Sequence, residues 1–159
     1  MTQLFGASQS RKSTMALLMA AQASRLGYVV CYFDVEGGFL EHVATAAGLR
    51  MEEPTFEHAP GEYGLFGGHL VSKQRVLTPG FLYDDQLSTI EDVFQESRRL
   101  CIACSNSNIS PFIILDSGTQ LASKEEEKKG EQGNTMMDLA KQMRKALRLI
   151  RKPLNWCGG

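Results

Sequence analysis

The chain has 159 residues, 43% of them hydrophobic and 22% charged, with a formal net charge of −1. That length predicts one domain, 1–159, able to bury a real core, and the composition is that of a soluble globular protein rather than a disordered, fibrous or membrane chain. A charge this small excludes a global nucleic-acid signature, so any polyanion site must be local; no apolar run approaches the roughly 20 residues of a membrane span, and no signal-peptide pattern opens the chain, which predicts a cytoplasmic protein with no membrane partner.

In chain order, Gln3-Leu4-Phe5 suits the end of a buried strand, and Gly6-Ala7-Ser8-Gln9-Ser10-Arg11-Lys12-Ser13-Thr14 follows it. This run nearly spells the phosphate-binding loop G-x-x-x-x-G-K-[ST], with Arg11 where the second glycine belongs. Such a loop works because backbone N–H groups curl around phosphates at a helix N-terminus, a lysine neutralises the outer phosphates and a hydroxyl holds Mg2+. A side chain at Arg11 demands either a different loop path or an outward-pointing arginine, since glycine serves where φ is positive or a ligand approaches closely. A serine-rich loop capping the helix through Ser8 or Ser10 is the plainer reading. It does not explain Lys12-Ser13 following Gly6 at the required spacing.

Lys12 to Leu26 lacks Pro and Gly and is rich in Ala, Leu and Met, which predicts a helix stopped by Gly27 at its C-cap. Tyr28-Val-Val-Cys-Tyr-Phe33 is a β-branched and aromatic run expected to form a strand buried on both faces. Strand, loop, helix and strand make a βαβ unit. Asp34 and Glu36 follow at the strand's carboxyl end, where ligands bind in open α/β sheets. They would share a face if the strand persisted to Glu36. A carboxylate there can orient or deprotonate an attacking water; the plainer reading is two solvated acids in a glycine-rich turn.

Residues 52–80 are rich in Gly and Pro around two short apolar runs, which predicts a surface insertion or hairpin. Ser88-x-x-Glu91 reads as a capping box opening a helix whose apolar side is Ile90, Val93, Phe94 and Leu100. Cys101 and Cys104 form a C-x-x-C, but no second pair and no suitably spaced histidine accompany it, so they are read as buried thiols. Pro111-Phe-Ile-Ile-Leu-Asp116-Ser117 predicts a central parallel strand delivering a carboxylate to the strand ends, where Asp116 pairs naturally with Ser13 around Mg2+. Beyond it, Met136, Ala140, Met143, Leu147 and Ile150 give a helix a core-facing stripe. Lys141, Arg144, Lys145, Arg148, Arg151 and Lys152 cover much of the rest, as a face for DNA phosphates, for a neighbouring protomer or for solvent.

The order G-x-x-x-x-x-K-S, helix, strand ending Asp-x-Glu, then apolar strand ending Asp-Ser resembles the ATPase core of RecA-type recombinases. It is most similar to the phage UvsX-like branch, which also places a bulky residue at the last glycine of the loop. The likeness runs through Ala46-Ala47-Gly48-Leu49, Leu115 to Lys124 and the helix Asn134 to Lys152, and omits only about residues 52–80.

The resemblance implies an α/β P-loop NTPase fold, a mainly parallel sheet flanked by helices and incomplete at its C-terminus. It also implies a Mg2+-dependent ATPase that binds ATP and acts on single-stranded DNA in recombination and repair, as a homo-oligomeric filament when complete. By the same resemblance Gly6 to Thr14 bind the nucleotide, with Lys12 on the β- and γ-phosphates and Thr14 at the phosphate end. Ser13 and Asp116 hold Mg2+, and Glu36 is the general base. The first DNA-binding loop would fall near Lys124 to Gly133, with Lys124, Lys128 and Lys129 as its cations. The family's adenine-stacking tyrosine falls on Val43 here, which leaves Phe39 or His42 as substitutes. The family also places a segment before the core and a strand, a γ-phosphate sensor and a second DNA loop after it, so the chain is expected to be an incomplete core. A non-catalytic nucleotide-binding fragment and another P-loop ATPase, such as a helicase of the same superfamily, remain the alternative readings.

Overall fold

The computed structural model describes residues 4, 11–58, 63–66, 69–72, 75–118 and 121–122, with Lys141, Arg144, Lys145, Leu147 and Arg148. Within them the order is α1 (Lys12–Arg25), β1 (Val29–Asp34), α2 (Glu41–Ala46), β2 (Phe56–His58), β3 (Tyr63–Phe66), β4 (His69–Ser72), β5 (Arg75–Leu77), β6 (Gly80–Asp84), α3 (Ile90–Asn106) and β7 (Pro111–Asp116). The protein is α/β: a three-stranded parallel sheet ordered β6-β1-β7 with helices on both faces.

Alternation along the strands sorts the core into two layers, because successive side chains point to opposite faces. Val30 and Tyr32 of β1, Phe81 of β6 and Phe112 and Ile114 of β7 meet Leu17, Ala20 and Ala21 of α1 and Ala44 of α2. Val29, Cys31 and Phe33, with Leu82, Ile113 and Leu115, meet Ile90, Val93, Leu100 and Cys104 of α3. All six residues of β1 are buried, which is why that segment reads as an unbroken apolar run.

Among the described residues β1 is the central strand. The apolar run at 111–116, expected to be central, pairs on one side with β1 and is half-buried throughout. The cap of α3 also differs by one residue from the expected box. Thr89 is the N-cap, accepting from the Asp92 amide at 3.2 Å and donating to its carboxylate at 2.6 Å. The reason is burial: Ile90 opens the helix against the sheet, so the capping hydroxyl must stand at 89.

Between β1 and β6 the chain leaves the sheet through two antiparallel pairs, β2 with β5 and β3 with β4. The neck is tight: the Phe81 amide donates to the Glu52 carbonyl at 2.8 Å and the Thr78 amide to the Thr55 carbonyl at 2.8 Å. A Cβ on Gly80 would lie 2.4 Å from the Pro54 nitrogen and 2.8 Å from the Glu52 oxygen, so only glycine fits where these backbones touch. Among the described residues no helix is long and apolar enough to cross a membrane.

Candidate functional site at the carboxyl ends of the strands

α1 and β1 are joined by a tight reversal. The Gly27 amide donates to the Ser24 carbonyl and the Tyr28 amide to the Ala23 carbonyl, both at 3.1 Å, with Gly27 at φ +83°. The 14 residues of α1 rise about 21 Å and the six of β1 about 20 Å, so the helix runs back along the strand for its full length. Lys12, Ser13 and Thr14 therefore stand at the end of the sheet where β1 and β7 finish. All three are half-buried.

Arg11 precedes this helix at φ 60° and ψ 29°, in the left-handed region, with its side chain exposed and capping no amide. The position reserved for glycine in the motif thus has the backbone conformation that glycine favours, here held by an arginine. Gly6, Ala7, Ser8, Gln9 and Ser10 lie outside the described residues, as do Lys124, Lys128 and Lys129.

β1 and β7 end in register, Asp34 opposite Asp116. Both have even parity and so point to the α1 face, with Tyr32, Phe112 and Ile114. Their surroundings differ. Asp34 is 2% exposed and fully engaged. It accepts from the amides of Gly38 at 3.0 Å and Phe39 at 2.8 Å and from the Tyr83 hydroxyl at 3.0 Å. Asp116 is half-buried, and its Oδ2 accepts the Tyr32 hydroxyl at 2.6 Å. Burial, then the bond to Asp116, pushes the Tyr32 phenol well above its ordinary range, so it stays a donor.

The condition for Asp34 and Glu36 to share a strand face is not met. The strand ends at Asp34 and residues 35–37 bend, with Gly37 at φ 68°, so Glu36 takes a separate direction and is exposed. It leans across to β7. The amides of Val35 and Glu36 both donate to the Asp116 carbonyl, at 2.8 and 3.4 Å, and the Glu36 carboxylate accepts the Ser117 hydroxyl. Glu36 is thus tied to the Asp116 backbone and the Ser117 side chain at the strand ends, the end of the sheet at which α1 begins.

Among the described residues no group of three or more His, Cys, Asp and Glu could hold a metal ion alone. A hydroxyl at Ser13 and a carboxylate oxygen at Asp116 are hard donors of the kind Mg2+ takes when phosphates and water supply the other ligands. Of the residues considered for the base, Val43 packs into the α1-side core. Phe39 lies in an aromatic cluster, 5.2 Å from Tyr32, 5.7 Å from Phe81 and 4.9 Å from Tyr83 between ring centres. His42 is exposed.

Sequence reasoning missed the parts played by Tyr32, Tyr83 and Ser117. The parity of Tyr32 with Asp34 was readable, but its partner lies 84 residues away and needed the strand register. Cys101 and Cys104 are both buried on the sheet-facing side of α3. Lys141, Arg144, Lys145 and Arg148 are helical and exposed, and Leu147 is half-buried. No family model matches the chain, and no curated protein or solved structure matches it.

Proposed function

We propose that the chain is the ATP-binding core of a Mg2+-dependent, DNA-stimulated ATPase of the RecA/UvsX-like recombinase type, with a P-loop NTPase fold. One observation carries the reading: Glu36 and Asp116 are brought together at the strand ends, on the edge of the sheet where α1 begins with Lys12-Ser13 after a left-handed Arg11. All four residues stand at the same end of the sheet, the end at which ligands bind in open α/β folds, and a helix N-terminus favours phosphate.

In this reading Lys12 neutralises the outer phosphates, and Ser13 and Asp116 supply the protein's oxygens to Mg2+, which when bound withdraws charge from the phosphates. Thr14 supports the phosphate end. Glu36 takes the proton of the attacking water, its carboxylate steadied by Ser117 and its backbone by the Asp116 carbonyl. Single-stranded DNA is the proposed polyanion. Lys141, Arg144, Lys145 and Arg148 recur at three- and four-residue steps and are all exposed, as a stripe tracking a phosphate backbone requires. Filament formation on DNA and action in recombination belong to the same proposal.

The test is ATP hydrolysis and nucleotide binding with and without single-stranded DNA, for this chain, Lys12→Ala and Glu36→Gln. Lys12→Ala should lose nucleotide affinity, and Glu36→Gln should keep it while turnover drops about 100-fold or more. Nucleotide binding unchanged by Lys12→Ala would overturn the phosphate-loop assignment.

A further inference from the structure

Two tyrosines on neighbouring strands each donate to a different aspartate at the strand ends. Tyr32 and Tyr83 are register partners on β1 and β6. The Tyr83 hydroxyl donates a hydrogen bond to Asp34 and the Tyr32 hydroxyl one to Asp116. The two aspartates are then put to different uses. Asp34 spends both oxygens on the turn and on Tyr83. Asp116 commits Oδ2 to Tyr32, and no other side-chain bond to its carboxylate is recorded among the described residues.

We infer that Tyr32 is a positioning residue for Asp116: its hydroxyl fixes the carboxylate rotamer and occupies Oδ2, so that Oδ1 is turned to the cation that Asp116 and Ser13 would hold. The inference rests on the metal role given to Asp116 in the proposed function. Three observations support it. Tyr32 is completely buried, and its ring is held by Phe39 at 5.2 Å, so the phenol has one position from which to donate. The 2.6 Å length is that of a strong bond to a charged acceptor. Asp116 ends β7 in register with Asp34, so its side chain points to the face on which α1 packs, the helix that carries Ser13. A partner that orients a metal-binding carboxylate is worth about 10- to 100-fold in metal affinity.

The experiment measures Mn2+ affinity by electron paramagnetic resonance on the full chain with bound non-hydrolysable ATP analogue, for wild type, Tyr32→Phe, Tyr83→Phe and Asp116→Asn. Metal-free nucleotide affinity and the thermal melt are recorded for each. Tyr32→Phe keeps the ring and removes only the donor, so Mn2+ affinity should fall about 10-fold while metal-free nucleotide affinity stays within about twofold. Tyr83→Phe, which touches Asp34 instead, should leave Mn2+ affinity unchanged. If Asp116→Asn weakens Mn2+ binding and Tyr32→Phe does not, the positioning role is overturned while the metal assignment stands. If Asp116→Asn binds Mn2+ as wild type does, the metal assignment itself is wrong and takes this inference with it. Equal losses in Tyr32→Phe and Tyr83→Phe would mean a general loosening of the sheet and would also overturn it.

Discussion

Ser117 donates its hydroxyl to the carboxylate of Glu36 across the gap between two parallel strands, 81 residues apart in the chain. The bond spans the ends of β1 and β7, next to the Asp116 carbonyl that accepts the Glu36 amide, so side chain and backbone of Glu36 are tied to the same partner strand. Removing the hydroxyl in Ser117→Ala leaves the backbone tie intact. The loss of one hydrogen bond to a charged acceptor, about 1.5 kcal/mol, should lower turnover by the proposed ATPase roughly tenfold with little change in nucleotide affinity. Steady-state kinetics beside Glu36→Gln checks it, and a Ser117→Ala protein as impaired as Glu36→Gln would contradict so limited a role.

Asp34 should prove structural. It is buried and accepts three hydrogen bonds, so Asp34→Ala would strand two amides and a phenol. The expected loss is about 3 kcal/mol, read as a lower urea midpoint at unchanged slope. Asp34→Asn, which keeps one acceptor oxygen, should fall between that variant and wild type.

Arg11 offers a test of backbone conformation separate from charge. A non-glycine residue at φ 60° carries a cost of about 1 kcal/mol, more if β-branched. Arg11→Gly should therefore be as stable as wild type or up to about 1 kcal/mol more stable, the gain being offset by the looser unfolded chain. Arg11→Val should be clearly less stable than either. Urea denaturation of the three proteins gives the order, and a valine variant equal to the glycine one would show that the left-handed conformation is not required.

Alkaline pH should destabilise the fold. Burial, followed by the charges of Asp84 and Glu96, raises the Cys31 thiol from 9.0 to about 12. Desolvation and the bond to Asp34 raise the Tyr83 phenol from 10.0 to about 12. In both cases the folded chain holds the proton more tightly than the unfolded one. That stability is complete below pH 9 and declines as pH climbs from about 9 toward 12. Urea midpoints at pH 7, 9 and 10.5 should fall in that order. Cys31→Ala should flatten the first part of this decline, which begins near pH 9 where the thiol of the unfolded chain ionises before the phenol.

The layered α/β arrangement was legible because its signals are local. Lys12 to Arg25 has no breaker, Gly27 ends it, and β1 is apolar on both faces because both are covered. The places of Lys12 and Asp116 were legible for the same reason, since they open α1 and close β7. The site's internal wiring was not legible. Whether Tyr32 meets Asp116 or Asp34 depends on which strands are neighbours and in what register, a property of pairs of segments. Whether β1 ran on to Glu36 was left open by the sequence, because the local alternation suits a longer strand and the glycines suit a turn. The buried carboxylate instead draws the amides of Gly38 and Phe39 back onto itself and ends the strand.

Residues 52–80 leave and re-enter the fold through a neck closed by Phe81 on Glu52 and by Thr55, whose amide and carbonyl bind the hydroxyl and amide of Thr78. What lies beyond such a neck can change length at small expense to the rest, since doubling a loop adds only about 0.6 kcal/mol of closure entropy. The sheet thus carries a docking port in its own covalent chain. An unrelated hairpin or a small guest domain grafted beyond β2 and β5, which keeps Leu77 in the α3-side core, would leave the strand ends and their aspartates undisturbed.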